Sequence, residues 1–530
     1  MAYVIHNARI HSLYPDQPVA TALAIEGDKI CSIGSDADIL DQFPSAQAYN
    51  AEGHVIIPGL TDAHIHLGQY ALGLLKVDCE TSTRRECLER VAERAQRANP
   101  GAWILGHGWN QNNWPEGFGD PSDLDDYAPR NPVYLTAKSL HAGWANSRAM
   151  RMAGIKAKTK DPQGGRLGRN PDGSPNGILF ESAMDLVANK IPKMTTAQVE
   201  QAILNAQSLL LQMGLTGVHD FDRSQCFLAL QHLHKSGLLQ LRVTKSIPLE
   251  DLSSAVKLRL RTGMGDARLR IGAVKGFADG ALGPHTAAML APYEDDPHNS
   301  GILMLDAEAL YQQGRIAVEA GLSLAIHAIG DRAVREVLQA FSKLRDYEAN
   351  RALPHQEPLR HRIEHVQVIH PDDKARLAEL SLIASMQPIH ATSDMAMADR
   401  FWGKRAALSY AWRTQLERGA VLAFGSDAPV ESPNPFWGLH AAITRRRADG
   451  HPGEPGWYPE QRLSIEEALH GFTTGPAYAT GLEHSVGRLA PGYLADLLVL
   501  DTDIFHCDPM QIKETRPVAT MIGGAWVWQQ

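Results

Sequence analysis

The chain of 530 residues has only five cysteines, Cys31, Cys79, Cys87, Cys226 and Cys507, an odd number scattered without close metal-type pairs. That spacing argues against a disulfide framework and predicts reduced, structural thiols. No apolar run is long enough to cross a bilayer, which excludes a membrane-spanning helix. The opening residues Met1 to His6 carry neither a basic stretch nor an extended apolar one, so a cytoplasmic protein is expected. Positive charge is in deficit: 51 Lys and Arg stand against 60 Asp and Glu, a formal net charge of -9. This balance disfavours binding to nucleic acid or anionic lipid and points to a small-molecule partner, with a homo-oligomer left open. Low-complexity tracts and internal repeats are absent as well.

What is present is a 44% hydrophobic chain with 23 histidines, several of them at the ends of apolar runs. The length suits one large domain and a smaller one. Short strand-like runs at both ends, Tyr3 to Ile10, Ala22 to Ile33, Gly487 to Asp501 and Val518 to Trp528, predict a small β domain built from residues of about 1–57 and 485–530. Between them, from about 58 to 484, apolar strand candidates alternate with helix candidates. The strands end at His66, Phe221, Ile247, Phe277, His327, Gln367, Gln387 and Asp427, eight in all, which predicts an α/β fold of TIM-barrel type. The stretch of about 70–194 breaks this rhythm and is rich in Gly, Pro, Asn and Trp. It reads as a helix-poor insertion in which Trp109, Trp114 and Trp144 are either substrate walls or packing residues.

Barrels of this kind place their chemistry at the C-terminal strand ends. The polar residues expected there are His64, His66, Lys275, His327, His365 and Asp427. His64 and His66 share one face of their strand, as alternate residues do. Four imidazoles and a carboxylate suit a borderline divalent ion such as zinc. The lysine fits only if burial and nearby metal charge depress its pKa, so that the free amine adds carbon dioxide and becomes a carbamate.

The strings PGLTDAHIHLG, HAIGD (327–331), RIEHVQ (362–367), FGSDAPV (424–430) and GRLAPGYLADLLVLD resemble the ligand strands and closing segment of the amidohydrolase superfamily. GHGWNQNNWPEG, VKGFADGALGPHTAAM and SMQPIHATSD further resemble its family 3 branch, which contains YtcJ-like proteins and N-substituted formamide deformylase. The resemblance spans almost the whole chain. It implies two zinc ions, one held by His64, His66 and Asp427 and the other by His327 and His365, with carboxylated Lys275 between them. It also implies a hydrolase for an amide-like C–N bond, N-formyl, N-acyl or carbamate, with Asp427 as general base. A deaminase acting on an amidine, or a non-catalytic binding protein of the same fold, are the alternatives.

Around this set, His390 is a candidate to donate to the substrate oxyanion or to line the pocket. Asp62, Asp279 and Asp331 are candidates to orient a ligand or the substrate, or to cap turns and helices. His219 with Asp220 reads as packing. His107, His141 and His285 lie in insertion or loop text and are assigned no role.

Overall fold

A computed structural model of the chain describes residues 2–111, 114–138, 142–351, 353 and 358–530. Its contacts divide into two compact units, Met1–Tyr70 with Ile203–Gln530, and Ala71–Ala202.

The first unit holds eight parallel strands that neighbour one another in chain order. They are β1 (Leu60–Ile65), β2 (Leu215–Asp220), β3 (Arg242–Pro248), β4 (Leu269–Phe277), β5 (Leu324–Ala328), β6 (Arg362–His365), β7 (Ile383–Met386) and β8 (Val421–Phe424). All residues of β6 and β7 are buried, as strands covered on both faces require. The helices between them carry an apolar stripe. In Asp331–Ala349 the buried residues Val334, Val337, Leu338, Phe341 and Leu344 recur every three or four positions.

Strands β1 and β8 stand at the two ends of the order. Two backbone hydrogen bonds just beyond them join these ends: Asp427 N–H donates to His64 O at 2.7 Å, and His66 N–H donates to Ala428 O at 2.9 Å. Gly425 permits the approach, since a Cβ there would lie 2.4 Å from His64 N and 2.6 Å from Asp62 Oδ1. Both termini feed a six-stranded sheet in which Leu497–Leu500 lies between Pro517–Ile522 and Val55–Pro58. A four-stranded sheet is centred on Ala22–Glu26 and Tyr3–His6. Ile5 and Leu23 of the smaller sheet share a buried cluster with Ile10, Ile56, Leu497 and Met521 of the larger. The single strand expected from Tyr3 to Ile10 is broken at Asn7, whose φ of 53° turns the chain from one sheet into the other.

The second unit is more regular than its sequence suggests. Six short strands form one sheet, Gly165–Arg169, Pro175–Glu181, Ala142–Ala145, Val133–Ala137, Ile104–Trp109 and Val77–Asp78 in spatial order. The helix Arg84–Arg97 is capped by the Thr83 side chain. The stretch shows no simple strand-helix alternation in sequence because its strands are too short for their pattern to stand out between glycines, and helices such as Arg84–Arg97 lie among them. Trp109, Trp114 and Trp144 are 1%, 4% and 1% exposed in the core of this unit. Their indole N–H groups donate to Leu135 O, Thr81 O and Asp120 O. Burial and these hydrogen bonds give the rings a packing role.

The five cysteines are free thiols, and among the described residues no helix is long and apolar enough to cross a membrane. Gly425→Ala is expected to lower stability by about 1–3 kcal/mol or more, because the added methyl meets backbone rather than a yielding side chain; a urea midpoint equal to that of the parent would contradict the tight seam.

Candidate metal centre

His64 lies near the end of β1 and is buried, while His66 follows the strand and is partly open. The two imidazoles turn their Nε2 atoms to the same carboxylate oxygen: Asp427 Oδ1 is 3.4 Å from His64 Nε2 and 3.5 Å from His66 Nε2. Two donors at about 2.0–2.1 Å from a tetrahedral zinc stand about 3.3 Å apart, so this spacing leaves room for an ion among the three. Asp427 reaches the position with a left-handed backbone, φ 58°.

His365 joins the group from β6. Strict alternation would send His365 to the face opposite Glu364. A φ of 75° at His365 breaks the alternation, and both side chains serve the centre. The His365 ring lies 4.9 Å from that of His64 and 4.6 Å from that of His327, centre to centre. Its Nδ1 is paired with Gln387 Oε1 at 2.8 Å, which leaves Nε2 for a ligand. His365, His390 and Asp427 also offer donor atoms within 4.8 Å of one another. His390 Nε2 is buried without a hydrogen-bond partner. His327 pairs its Nε2 with Gly280 O at 2.8 Å, so Nδ1 is its remaining ligand atom.

Ligand histidines must be neutral. Burial, with the Lys275 charge second, holds His64 well below the usual imidazole range and pushes His327 down to about 3. Burial and the neighbouring imidazole of His327 do the same for His365. For His66 burial acts downward, but the carboxylates of Asp222 and Asp427 outweigh it and raise the ring. Burial pushes the Lys275 amine down to about 8 against the pull of Glu364 and Asp427. Its Nζ sits between two phenyl rings, 4.7 Å from the centre of Phe221 and 5.0 Å from that of Phe277. These residues fit a divalent cation: imidazole nitrogens, those of His64, His327 and His365 held neutral by burial, and a carboxylate gather at one place, with an unpartnered buried nitrogen beside them.

The supporting shell contains residues that sequence reading missed. Glu364 Oε2 lies 2.6 Å from His64 Nδ1, fixing that ring with Nε2 inward. Arg362 and the Ser385 hydroxyl donate to the same carboxylate. Asp222 stands 3.4 Å from His66 Nδ1 and also accepts from Gln69 N–H and its side-chain amide. Charged residues at alternate positions of the buried strand Arg-Ile-Glu-His were the available signal for Arg362 and Glu364; nothing local marked Asp222.

The other singled-out residues have defined places. Asp62 accepts from His64 N–H, Ser426 N–H and the Ser426 hydroxyl, and burial pushes its carboxyl up to about 7. Asp279 accepts from the N–H groups of Ala288, Ile329 and Gly330, so its oxygens tie two loops together and are not free for substrate. Asp331 accepts from Leu290 N–H. His219 is buried against the Arg362 guanidinium at 2.9 Å, a packing role. His107 pairs with Thr136, and His285 packs on Tyr293 and Phe401. His141 lies outside the described residues.

Glu364→Gln and Asp222→Asn are each expected to weaken zinc affinity about 10–100-fold, measured by competition with a chelator while the far-ultraviolet dichroism stays native. Unchanged affinity in both variants would remove the two carboxylates from this role.

Known proteins match the chain over nearly its whole length. The profile of the amidohydrolase family matches residues 47–528. The putative amidohydrolase YtcJ of Bacillus subtilis is 31% identical, with all of both chains covered. N-substituted formamide deformylase of Arthrobacter pascens is 27% identical over 98% of this chain and 97% of its own. An uncharacterized metal-dependent hydrolase from Pyrococcus furiosus superposes with a TM-score of 0.78 at 28% identity, covering 95% of this chain and all of that one. Strands, donor set and sequence agree: the chain belongs to the amidohydrolase family and is a metal-dependent hydrolase of that family.

Proposed function

We propose that the protein hydrolyses an amide-type C–N bond of a small molecule, with N-substituted formamides and other N-acyl amines as the first substrates to try. The observation that supports this most is the convergence of His64, His66 and Asp427 on one point, with His365 and His390 alongside. The deformylase relative bears on the substrate class, since it covers nearly the full chain. The buried lysine speaks against a deaminase of the common single-metal type.

In this reading His64, His66 and Asp427 would hold one divalent ion, probed first as zinc, and His327 and His365 would hold a second. Lys275, whose amine is depressed, would add carbon dioxide with loss of a proton, and the resulting carbamate would serve as a further oxygen ligand. Bound divalent ions supply an acidified water and a Lewis acid for the carbonyl. The protein's part is positional and protonic. Asp427, held by the seam bonds and its left-handed backbone, takes a proton from the attacking water and returns it to the leaving amine. His390, with its buried Nε2 unsatisfied, donates to the substrate carbonyl oxygen as negative charge grows there.

Metal analysis of protein purified without chelators is expected to give about two equivalents of zinc or a similar ion. A panel of N-formyl, N-acyl and carbamate compounds then reads amine release. Protein that is metal-free and cannot be reconstituted would favour a binding protein of the same fold. Asp427→Asn should keep much of its metal and lose about 10²–10⁴-fold in kcat, since it removes proton transfer more than ligation; full turnover in that variant would exclude the general-base role.

A further inference from the structure

Lys275 and Phe277 are alternate residues of β4 and so share a face. Lys275 is buried, yet the phenyl ring two residues on is 49% exposed. That ring is no remote surface group: its centre is 5.0 Å from Lys275 Nζ and 5.2 Å from the His327 ring. The second ring beside Lys275, Phe221, is buried and stacked 4.1 Å from His64. Of the two phenyl groups that flank the lysine, Phe277 is therefore the one with a face to offer.

Its surroundings extend the apolar character. Met304, 58% exposed, donates its N–H to Ala278 O, next in chain to Phe277. The backbone thus pins an exposed apolar residue beside Phe277, at the end of the strand that carries Lys275. Leaving a phenylalanine half in water forgoes part of the roughly 1.5–3 kcal/mol that full burial brings. Polar groups that converge beside an open apolar wall suit a ligand with a polar reacting head and an apolar body.

We infer that Phe277 is a specificity-determining residue of this site, the wall on which an aromatic or branched aliphatic substituent of the substrate packs while its carbonyl faces Asp427 and His390. The inference rests on the hydrolase reading above and names its substrate class: hydrophobic N-substituted amides rather than small polar ones. It also moves the aromatic contact away from Trp109, Trp114 and Trp144, whose rings are enclosed in the other unit.

The test needs no turnover. Acetohydroxamate and benzohydroxamate share a metal-binding head and differ in body, and calorimetric titration of each into zinc-loaded full-length protein gives a ratio of affinities. The ratio should favour benzohydroxamate by about tenfold or more, and Phe277→Ala should bring it down by about tenfold, the worth of an aromatic contact. Phe277→Leu, which keeps apolar bulk, should fall between and covers the case in which the alanine variant does not fold. A ratio near one in the parent, or one unchanged in natively folded, zinc-loaded variants, would overturn the role of Phe277 and leave the hydrolase reading intact. Failure of the parent to load metal would instead overturn the hydrolase reading, and this inference with it.

Discussion

The centre depends on a charge buried where charge is costly. Glu364 has no solvent exposure, and burial alone would drive its carboxyl upward. The Arg362 guanidinium leads the interactions that outweigh burial and keep it ionised, with the Lys275 ammonium adding to it while that lysine is unmodified. A buried carboxylate persists only where its lone pairs are met, and here Arg362, Ser385 and His64 meet them. Arg362 in turn donates to Ala63 O at 2.7 Å and pairs with His219. One ion pair on β6 therefore reaches across the barrel interior to β1, β2 and β7, and sets the ring that a cation would meet first.

That dependence explains which parts of the fold and site were readable. The eight strands stood out because parallel strands buried on both faces are written as apolar runs, and their C-terminal ends are where His64, His327 and Asp427 appear. Strand-forming runs at both ends were legible as well, except for the break at Asn7, which depends on one dihedral angle. Asp222 could not be found, because its partner His66 is far away in the chain and no local pattern ties them. The tryptophans stayed open between two readings for a different reason. A cluster of large aromatics looks the same in sequence whether it lines a pocket or fills a core, and only their burial separates the two.

Backbone conformation was the other hidden variable. His365, Val366 and Asp427 have φ of 75°, 45° and 58°. A β-branched residue in the left-handed region is costly, about 1–3 kcal/mol by general experience, and such strain gathers at functional sites. At His365 the effect is visible: its own φ of 75° sets that side chain beside Glu364. Side-chain identity alone, read with the ordinary alternation of a strand, places these two groups on opposite faces.

The seam between β1 and β8 carries a further implication. Its two recorded backbone bonds use His64, His66, Asp427 and Ala428, so the donors that would grip an ion come from both lips of the joint. A cation seated there would rivet the opening strand of the barrel to the closing one, and the free energy of occupancy would be shared with that of keeping the cylinder shut.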